Sequence, residues 1–336
     1  MQFTAPLGSR RGTKGIPVID MHLYLAPILG HTDYVFRNAL TRYFKGIDLC
    51  LTPFLTTVKG SCVRDSHLTD ILPKHNKTCR IIPQILGKDP EEFLIMANQV
   101  HDMGYASVNW NMGCPYPMVV NKKRGAGLLA YPEMITDLLS KVVPHLNCRL
   151  SVKMRLGRDD PEEAFEVLDI LNQFSLEEII IHPRTAKQMY SGTPDLDAFE
   201  KCLAASKHPV VYNGDITDLG SYDSIAKRFP DVSRVMIGRG LAMNPALAEM
   251  IKSRSSKLPE DFFKRLYRFH EEILRNYRDQ SSGQLTLLGR MKQLWWYLSF
   301  SLADREDALK RIQRSKTIGA YRKIIEEVFA ATSAIL

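Results

Sequence analysis

The sequence predicts a (β/α)8 TIM barrel followed by a C-terminal all-α helical bundle. Eight short β-branched runs alternate with stretches of helical apolar spacing over about 220 residues, which is the usual size of such a barrel. After Leu241 only helical periodicity remains, and several successive helices joined by short turns are typical of a bundle. A chain of 336 residues is long enough for both units.

The eight runs are expected to be the barrel strands. In chain order they are Met21–Ala26, Gly46–Thr52, Arg80–Leu86, Tyr105–Asn111, Arg149–Arg155, Glu178–Arg184, His208–Asn213 and Ser233–Arg239. Helical spacing lies between them, for example at Pro90–Met103, Pro132–Val142 and Pro161–Phe174. A doubly wound sheet is the alternative, but its first β–α turn normally reads Gly-x-Gly-x-x-Gly. The turn after the first strand here reads Pro27-Ile28-Leu29-Gly30, which favours the barrel.

Four helices are predicted for the C-terminal part, at Asp261–Arg278, Thr286–Leu302, Asp304–Arg314 and Lys316–Ala330. The polar segment Lys252–Lys257 precedes them and is expected to be a linker. We therefore divide the chain into a flexible N-terminal extension at 1–19, a catalytic barrel at 20–250 and a basic helical domain at 259–336.

Composition excludes several classes of protein. Hydrophobic residues make up 45% of the chain and charged residues 24%, which is the balance of a globular protein and not of a disordered or fibrous one. No apolar run approaches the roughly 20 residues that span a bilayer, and no signal-peptide core follows the basic N-terminus. The six cysteines include no Cys-x-x-Cys pair, which excludes a zinc ribbon and favours reduced thiols. We expect a cytoplasmic protein without a metal site.

Positive charge is concentrated near the C-terminus. The chain has a net charge of +8, and residues 251–336 hold 17 Lys and Arg against 10 Asp and Glu. Such segregation indicates contact with a polyanion, of which nucleic acid is the leading candidate. Charge alone does not exclude a helical bundle that is basic without binding a polyanion.

Polar residues and glycines recur at the ends of the predicted strands, where barrel enzymes carry their active sites. Gly214 and Gly238 follow the last two strands and would let a ligand approach the backbone, and Arg239 adds a bidentate partner for phosphate. Lys153 lies on the fifth strand, where a buried cation requires an anion. A reduced isoalloxazine ring would supply that negative charge. These features together predict flavin mononucleotide (FMN), although a sugar phosphate would satisfy the phosphate part alone.

Several segments resemble the tRNA-dihydrouridine synthase family. Leu25–Asp33 is similar to the opening Ala-Pro-Met-x-Gly-x-Thr-Asp motif, and Asn111–Pro115 with Gly125–Leu129 is similar to the active-site segment. Further matches follow in order at Val152–Gly157, His182–Thr185, Gln188-x-Tyr190-x-Gly192 and Asn213–Asp215. The resemblance covers roughly residues 20–245, and a basic helical C-terminus is what the family would append.

Two positions depart from the family pattern. Ile28 stands where the family usually has Met, which changes little because the flavin contact there is largely through backbone. Thr52-Pro53-Phe54 replaces a Thr-Glu-x motif of many members. The lost carboxylate bears on how substrate or flavin is oriented, and the sequence leaves open which of the two it is.

The resemblance implies FMN chemistry with NADPH or NADH as reductant. The implied FMN contacts are Pro27, Ile28, Leu29, Gln84, Lys153, His182, Asn213, Gly214, Asp215, Gly238 and Arg239. Reduced flavin would deliver hydride to C6 of uracil, and Cys114 would be the catalytic residue that donates the proton to C5. A thiol with an ordinary pKa near 8.5 is mostly protonated at pH 7 and suits this role.

A uracil must leave its stack to reach a barrel mouth, so basic residues are expected on its flanking backbone. The candidates for phosphate contact are Lys122, Lys123, Arg124, Arg290 and Lys292. The pattern Arg290-x-Lys292-Gln293 resembles a pattern found in the branch of this family that acts on uridine 16. One of Trp295 and Trp296 is expected to be a core residue. We expect a monomer, because the active-site face must admit a large RNA.

Three functions remain in view. The favoured one is reduction of a specific uridine in the tRNA D-loop by a tRNA-dihydrouridine synthase. An FMN-dependent barrel dehydrogenase of a small molecule, of the dihydroorotate or ene-reductase type, would share the phosphate loops but gives no reason for a basic bundle. A non-catalytic RNA-binding protein would not require Cys114, Lys153 and Gly238-Arg239 together.

Overall fold

The computed structural model describes residues 21–60, 68–280 and 283–333. The extension predicted at 1–19 and Cys62 lie outside the described residues. Ten short strands form one parallel sheet. They are β1 (His22–Leu25), β2 (Leu49–Leu51), β3 (Leu55–Thr56), β4 (Ile81–Ile82), β5 (Gln84–Leu86), β6 (Ser107–Met112), β7 (Arg149–Gly157), β8 (Ile179–Thr185), β9 (Val210–Tyr212) and β10 (Arg234–Ile237).

The ten strand pieces close into a ring of eight. Strand β1 pairs with both β10 and β2, β2 pairs with β4, and β3 pairs with β5. Pro53 separates β2 from β3 and Pro83 separates β4 from β5, because proline has no N–H for the ladder. Each of the eight predicted strands overlaps one member of this ring. The TIM barrel is therefore confirmed.

Helices follow the strands around the outside of the barrel. They are α1 (Tyr34–Tyr43), α2 (Pro90–Asp102), α3 (Pro117–Val120), α4 (Pro132–Val142), α5 (Glu163–Leu171), α6 (Leu196–Ala205), α7 (Leu219–Arg228), α8 (Arg239–Met243) and α9 (Leu247–Ser253). Aspartates cap four of them by accepting a backbone N–H in the first turn. Helix α5 begins two residues after Pro161, because the first bonds there close i→i−3 turns, such as that from the Ala164 N–H to the Pro161 carbonyl.

The predicted bundle is present as four helices. These are α10 (Phe262–Gln280), α11 (Gln284–Leu298), α12 (Arg305–Arg314) and α13 (Ile318–Ser333). Helix α11 ends before the predicted Leu302, because a 3₁₀ turn at Ser299–Ser301 follows it. In the described part of the chain no helix combines the length and the apolar character that crossing a membrane requires.

Bundle and barrel share one apolar core. Phe36 of α1 and Phe44, which directly follows that helix, meet Phe269 of α10 at centroid distances of 5.5 and 6.0 Å. The Ser301 hydroxyl donates to the Met243 carbonyl at 2.6 Å. These contacts bring the end of α11 to the rim formed by the carboxyl ends of the barrel strands.

Candidate active site

A cavity of about 410 Å³ opens at the carboxyl ends of the barrel strands. All eleven predicted cofactor contacts and Cys114 line it. The end of α11 adds Trp296, Tyr297 and Phe300 from the bundle. The structure thus brings together predicted residues from seven separate segments of the sequence.

Alternation along β6 and β7 places polar side chains inside the barrel. Trp110, Val152 and Met154 belong to the apolar core under the helices, so Asn111 and Lys153, one residue further along, point to the opposite face. The interior of the barrel is therefore polar at its carboxyl end.

A chain of amides fixes the backbone at Cys114. The Asn111 side-chain oxygen accepts the N–H groups of Gly113 at 3.1 Å and of Cys114 at 2.9 Å. Its amide nitrogen donates to Gln84 at 2.6 Å, and Gln84 donates to Asn109 at 2.8 Å. The position of the thiol is consequently set by hydrogen bonds that join β5 and β6.

Burial keeps the Cys114 thiol protonated. The side chain is buried in the cavity wall. Burial raises its pKa, and this outweighs the opposing effects of the Tyr116 N–H and of the cations Arg155 and Lys153. A thiol that holds its proton at neutral pH can act as a general acid.

Lys153 is a cation without a counter-ion. Its ammonium makes no hydrogen bond or ion pair with any residue in the described ranges. Burial, and then the charge of Arg155, lowers its pKa to about 7. Arg155 itself is satisfied, because it donates to the carbonyls of Gly113 at 3.0 Å and Thr185 at 2.7 Å. An anionic group beside Lys153 would remove the cost of its charge.

Two arginines converge on Asp215. Arg184 is fully buried and donates to Asp215 at 3.0 Å and to the Gly192 carbonyl at 2.7 Å, and Arg239 also donates to Asp215. Burial acts to raise the pKa of Asp215, but the bonds from Arg184 and Arg239 lower it overall. Asp215 therefore fixes the positions of both guanidinium groups at this side of the cavity.

Internal packing also explains the two glycines of this region. A Cβ on Gly214 would lie 2.1 Å from the Tyr212 hydroxyl, and one on Gly238 would lie 3.3 Å from the Ala26 Cβ. Gly214 is therefore required by the protein itself, whether or not a ligand approaches it.

His182 is held as a neutral imidazole. Burial, followed by Arg155, Lys153 and two further arginines, lowers its pKa well below the ordinary value. Its Nε2 lies 3.2 Å from Arg184, a donor, so Nε2 accepts and Nδ1 carries the proton. The ring can therefore donate one hydrogen bond to a ligand.

The turn after β1 is locked by its own hydrogen bonds. The Ile28 N–H donates to the Thr32 hydroxyl at 2.8 Å, and the Ile28 carbonyl accepts the N–H groups of His31 and Thr32. The backbone of Ile28 is thus engaged within the turn. Pro27 and Leu29 offer the remaining backbone groups at this edge of the cavity.

The residues predicted to bind RNA near Cys114 lie outside the cavity lining. Lys122 is exposed, and Lys123 places its ammonium 4.0 Å from the Tyr131 ring centroid. Arg124 is mostly buried and lies 3.8 Å from the Glu92 carboxylate. Their contact with RNA stays a prediction.

The two basic residues predicted on α11 have partners inside the protein. Arg290 lies 4.7 Å from the Tyr277 ring centroid and 3.9 Å from the Asp33 carboxylate. The Lys292 ammonium donates to the carbonyls of Gln313 at 2.8 Å and Ser315 at 2.6 Å, at the end of α12. Only its third proton is left for phosphate, so its role in RNA binding also stays a prediction.

Sequence reasoning missed the aromatic residues at the cavity. Trp295 is fully buried, as expected of one tryptophan of the pair, whereas Trp296 is 55% exposed and lines the cavity. Tyr116, Tyr190 and Phe300 also line it. The four-residue spacing of Trp296 and Phe300 was a visible signal, but nothing in the sequence showed which surface they join.

Comparison with known proteins gives a consistent result. A family model described as Dihydrouridine synthase (Dus) matches residues 24–330. A "Probable tRNA-dihydrouridine synthase" of Rhodobacter capsulatus is 31% identical over 330 residues, which cover 93% of this chain and 97% of that protein. A "tRNA-dihydrouridine(16) synthase" of Neisseria meningitidis serogroup B is 28% identical over 321 residues, covering 93% and 96%.

A solved structure shares the fold. A variant of NCR from Zymomonas mobilis superposes with a TM-score of 0.50 at 13% identity, over 73% of this chain and 90% of that one. At such low identity the likeness supports the barrel architecture alone.

Proposed function

Because this chain belongs to the dihydrouridine synthase family and is an oxidoreductase, we propose that it reduces the C5=C6 bond of a specific uridine in the tRNA D-loop, with FMN as cofactor and NADPH or NADH as reductant. The observation that carries the proposal is that one cavity is lined by a thiol that keeps its proton and by an ammonium that has no counter-ion among the residues the structure describes.

The cavity residues fit FMN. The unpaired Lys153 ammonium is suited to the pyrimidine side of the ring, and Arg239, oriented by Asp215, is suited to the phosphate. His182 offers its Nδ1 proton, and Gln84 retains one amide proton beyond the bond to Asn109. When bound, FMN would supply the hydride that reaches C6 of uracil.

Cys114 would hold and deliver the second hydrogen. Its Sγ proton passes to C5 of uracil as the hydride arrives at C6, so one hydride and one proton saturate the double bond. The resulting thiolate is stabilised by the Tyr116 N–H and by Arg155 and Lys153, which act against burial on the pKa of Cys114. A proton from water restores the thiol.

The basic bundle favours tRNA over a small molecule as the substrate. Residues 251–336, with 17 Lys and Arg against 10 Asp and Glu, carry +7 of the net charge of +8, and this part of the chain supplies a wall of the cavity. Such a charge distribution attracts the phosphate backbone without reading sequence. We also propose that the protein works as a monomer in the cytoplasm, because the cavity mouth must stay open to RNA.

Position 16 is the uridine that we propose to test first. The relative from Neisseria meningitidis carries that position in its name, and Arg290-x-Lys292-Gln293 is similar to the same branch. Mapping dihydrouridine in tRNA from a deletion strain tests the position. Loss at a position other than 16 would contradict this assignment and leave the reaction itself intact.

The experiment for the reaction is reoxidation of the reduced protein. We expect purified protein to show a flavin spectrum, to be reduced anaerobically by NADPH or NADH, and to be reoxidised by an unmodified tRNA transcript but not by free uridine. A protein that binds flavin and is reoxidised by small enones or dihydroorotate-type substrates, but not by tRNA, would instead be a small-molecule dehydrogenase.

A further inference from the structure

The bundle presents two exposed aromatic rings at the cavity mouth. Trp296 is 55% exposed and Phe300 is 45% exposed, and both line the cavity. Trp296 lies in the last turn of α11 and Phe300 in the 3₁₀ turn that follows it, and both face the same cavity. Large exposed apolar groups that adjoin a binding cavity mark a surface that meets a ligand.

Arg305 lies on one of these rings. Its guanidinium carbon is 3.5 Å from the centroid of Phe300, which is the geometry of a cation–π contact. Within the described ranges Arg305 makes no hydrogen bond or ion pair, and its buried Nε has no acceptor. By contrast, Arg311 on the same helix faces both Asp307 and Glu327. The ring therefore holds Arg305 in place while its terminal Nη donors remain open to an anion.

The surface is anchored on both sides. Ser301, next to Phe300, donates to the carbonyl of Met243, and Met243 itself lines the cavity. Trp295, next to Trp296, is fully buried and donates from its indole nitrogen to the Tyr321 hydroxyl at 2.8 Å. Trp296, Phe300 and Arg305 are thus presented by a fixed backbone.

We propose that Trp296, Phe300 and Arg305, here called the mouth surface, bind the nucleotide next to the one that enters the cavity. Its base stacks on the aromatic rings and its phosphate meets Arg305. Stacking platforms beside cations are how proteins bind unpaired strands. The inference rests on the proposed function, because it takes the strand to be RNA with an unstacked segment.

Charge and position favour RNA as the occupant. Trp296 and Phe300 adjoin the cavity, and the part of the chain that carries the mouth surface, residues 251–336, holds 17 Lys and Arg against 10 Asp and Glu. A strand of phosphates matches this positive field, and stacking adds a contact that free uridine does not have. The mouth surface therefore gives a physical reason for the enzyme to accept an unpaired loop and to reject a nucleoside.

Intrinsic fluorescence offers a direct test. The chain has three tryptophans, of which Trp110 and Trp295 are fully buried and Trp296 is exposed. Titration of flavin-loaded, full-length protein with an unmodified tRNA transcript should quench the exposed indole. Trp296→Phe should abolish the quenching and keep the affinity, because a ring that stacks remains. Trp296→Ala should weaken binding by about fivefold or more.

A matched control comes from the same helix. Leu285 is 80% exposed on α11 and does not line the cavity, so Leu285→Ala should bind as the wild type does. Binding of tRNA without quenching, together with unchanged affinity of Trp296→Ala, would overturn the proposal and favour a protein partner for the mouth surface.

Arg305 is tested against Arg314. Both lie on α12 and both substitutions remove one positive charge. Arg305→Ala should raise the KM for tRNA with little change in kcat and lower the slope of log affinity against log salt by about 0.7–0.9. Arg314→Ala should change both much less. Equal effects of the two would show that Arg305 contributes only general charge, and would overturn its assignment to a phosphate.

Failure of the proposed function would look different. A wild-type protein that binds flavin but neither binds nor reduces tRNA would contradict the function and this inference with it. A wild-type protein that reduces tRNA while all the mouth-surface variants behave like the wild type would contradict the inference alone.

Discussion

Burial acts on Cys114 and Lys153 in opposite directions within one cavity. It raises the pKa of the thiol, which keeps its proton, and lowers that of the ammonium to about 7, which therefore holds its charge only weakly. Cys114 can therefore donate a proton, and Lys153 would be stabilised by a negative charge beside it. Perturbed groups of this kind are common at catalytic sites.

Replacing Cys114 should separate the two halves of the reaction. Cys114→Ala is expected to keep bound flavin and NADPH oxidation, because the amide chain that fixes this loop uses backbone groups of residue 114 and not the thiol. Uridine reduction should be lost, at a cost typical of general acid catalysis, about 10²–10⁴-fold. Single-turnover reoxidation by tRNA gives the readout.

Cys79→Ala is the control for that substitution. Cys79 is a half-buried thiol outside the cavity lining, so its loss should leave turnover unchanged. Loss of flavin on Cys114→Ala would show that residue 114 serves the structure of the site and not its chemistry.

We expect Lys153 to lower the free energy of unfolding of the flavin-free protein. Its pKa is about 7 in the folded chain against 10.5 ordinarily, so between these values the unfolded chain binds more protons and stability rises with pH. Lys153→Met should therefore raise the melting temperature at pH 7, by about 2–4 °C for each kcal/mol gained, and the gain should shrink toward pH 10.5.

In the flavin-loaded protein, Lys153→Met should be unfavourable, although it stabilises the flavin-free protein. Without the cation, the reduced flavin loses its counter-charge, so its reduction potential should fall, whereas tRNA affinity should change little. Equal melting temperatures across the pH range and an unchanged potential would mean that Lys153 has a counter-ion and no role toward flavin.

Motif residues were predictable at this scale because each lies at a strand end, where the barrel determines its position. Cys114, Lys153 and Arg239 needed only the strand order to be brought together. Trp296 was not predictable as a cavity residue, because it lies far along the chain and reaches the cavity only through the packing of α11 against α8. Lys292 faces helix carbonyls for the same tertiary reason.

Secondary-structure elements were predictable where a local sequence pattern determines them. All eight barrel strands were predicted from short β-branched runs, and the four bundle helices from helical periodicity. The interruption of two strands was missed, although Pro53 and Pro83 carried the signal. Helix α11 ends early in the 3₁₀ turn at Ser299–Ser301, where the Ser301 hydroxyl donates to the Met243 carbonyl of the barrel, a tertiary contact that no local pattern contains.

Substitutions of Arg290 and Lys292 on α11 should differ in their effect on the melting temperature. Both substitutions to Ala are expected to weaken tRNA binding and to reduce its salt dependence, by somewhat under one unit of slope for each phosphate contact. Lys292→Ala should also lower the melting temperature, because it removes two hydrogen bonds that cap α12, each worth about 1 kcal/mol. Salt titrations and melting curves measure the two effects.

Identical slopes for both variants and the wild type would mean that neither residue contacts phosphate. An undiminished melting temperature of Lys292→Ala would contradict the capping contact. Arg290→Ala serves as the internal comparison, since its guanidinium makes only a long ion pair with Asp33 and a ring contact with Tyr277.

At the scale of the whole molecule, the bundle is part of the core. Phe36 and Phe44 of the barrel are buried against α10, so deletion of residues 259–336 would expose a large apolar face. We therefore expect the truncated chain to be much less stable than the full one, or to aggregate. Expression and thermal unfolding of residues 1–258 measure this. A soluble truncated protein with the melting temperature of the full chain would contradict the shared core.

Product analysis gives the decisive test of uridine reduction. An unmodified tRNA transcript is incubated with flavin-loaded protein and NADPH, digested to nucleosides and fragments, and examined by mass spectrometry. We predict that the wild type converts one uridine of the D-loop to dihydrouridine, that Cys114→Ala does not, and that Arg314→Ala does. A transcript that stays unmodified while the same protein turns over a small unsaturated substrate would contradict the function proposed for this cavity.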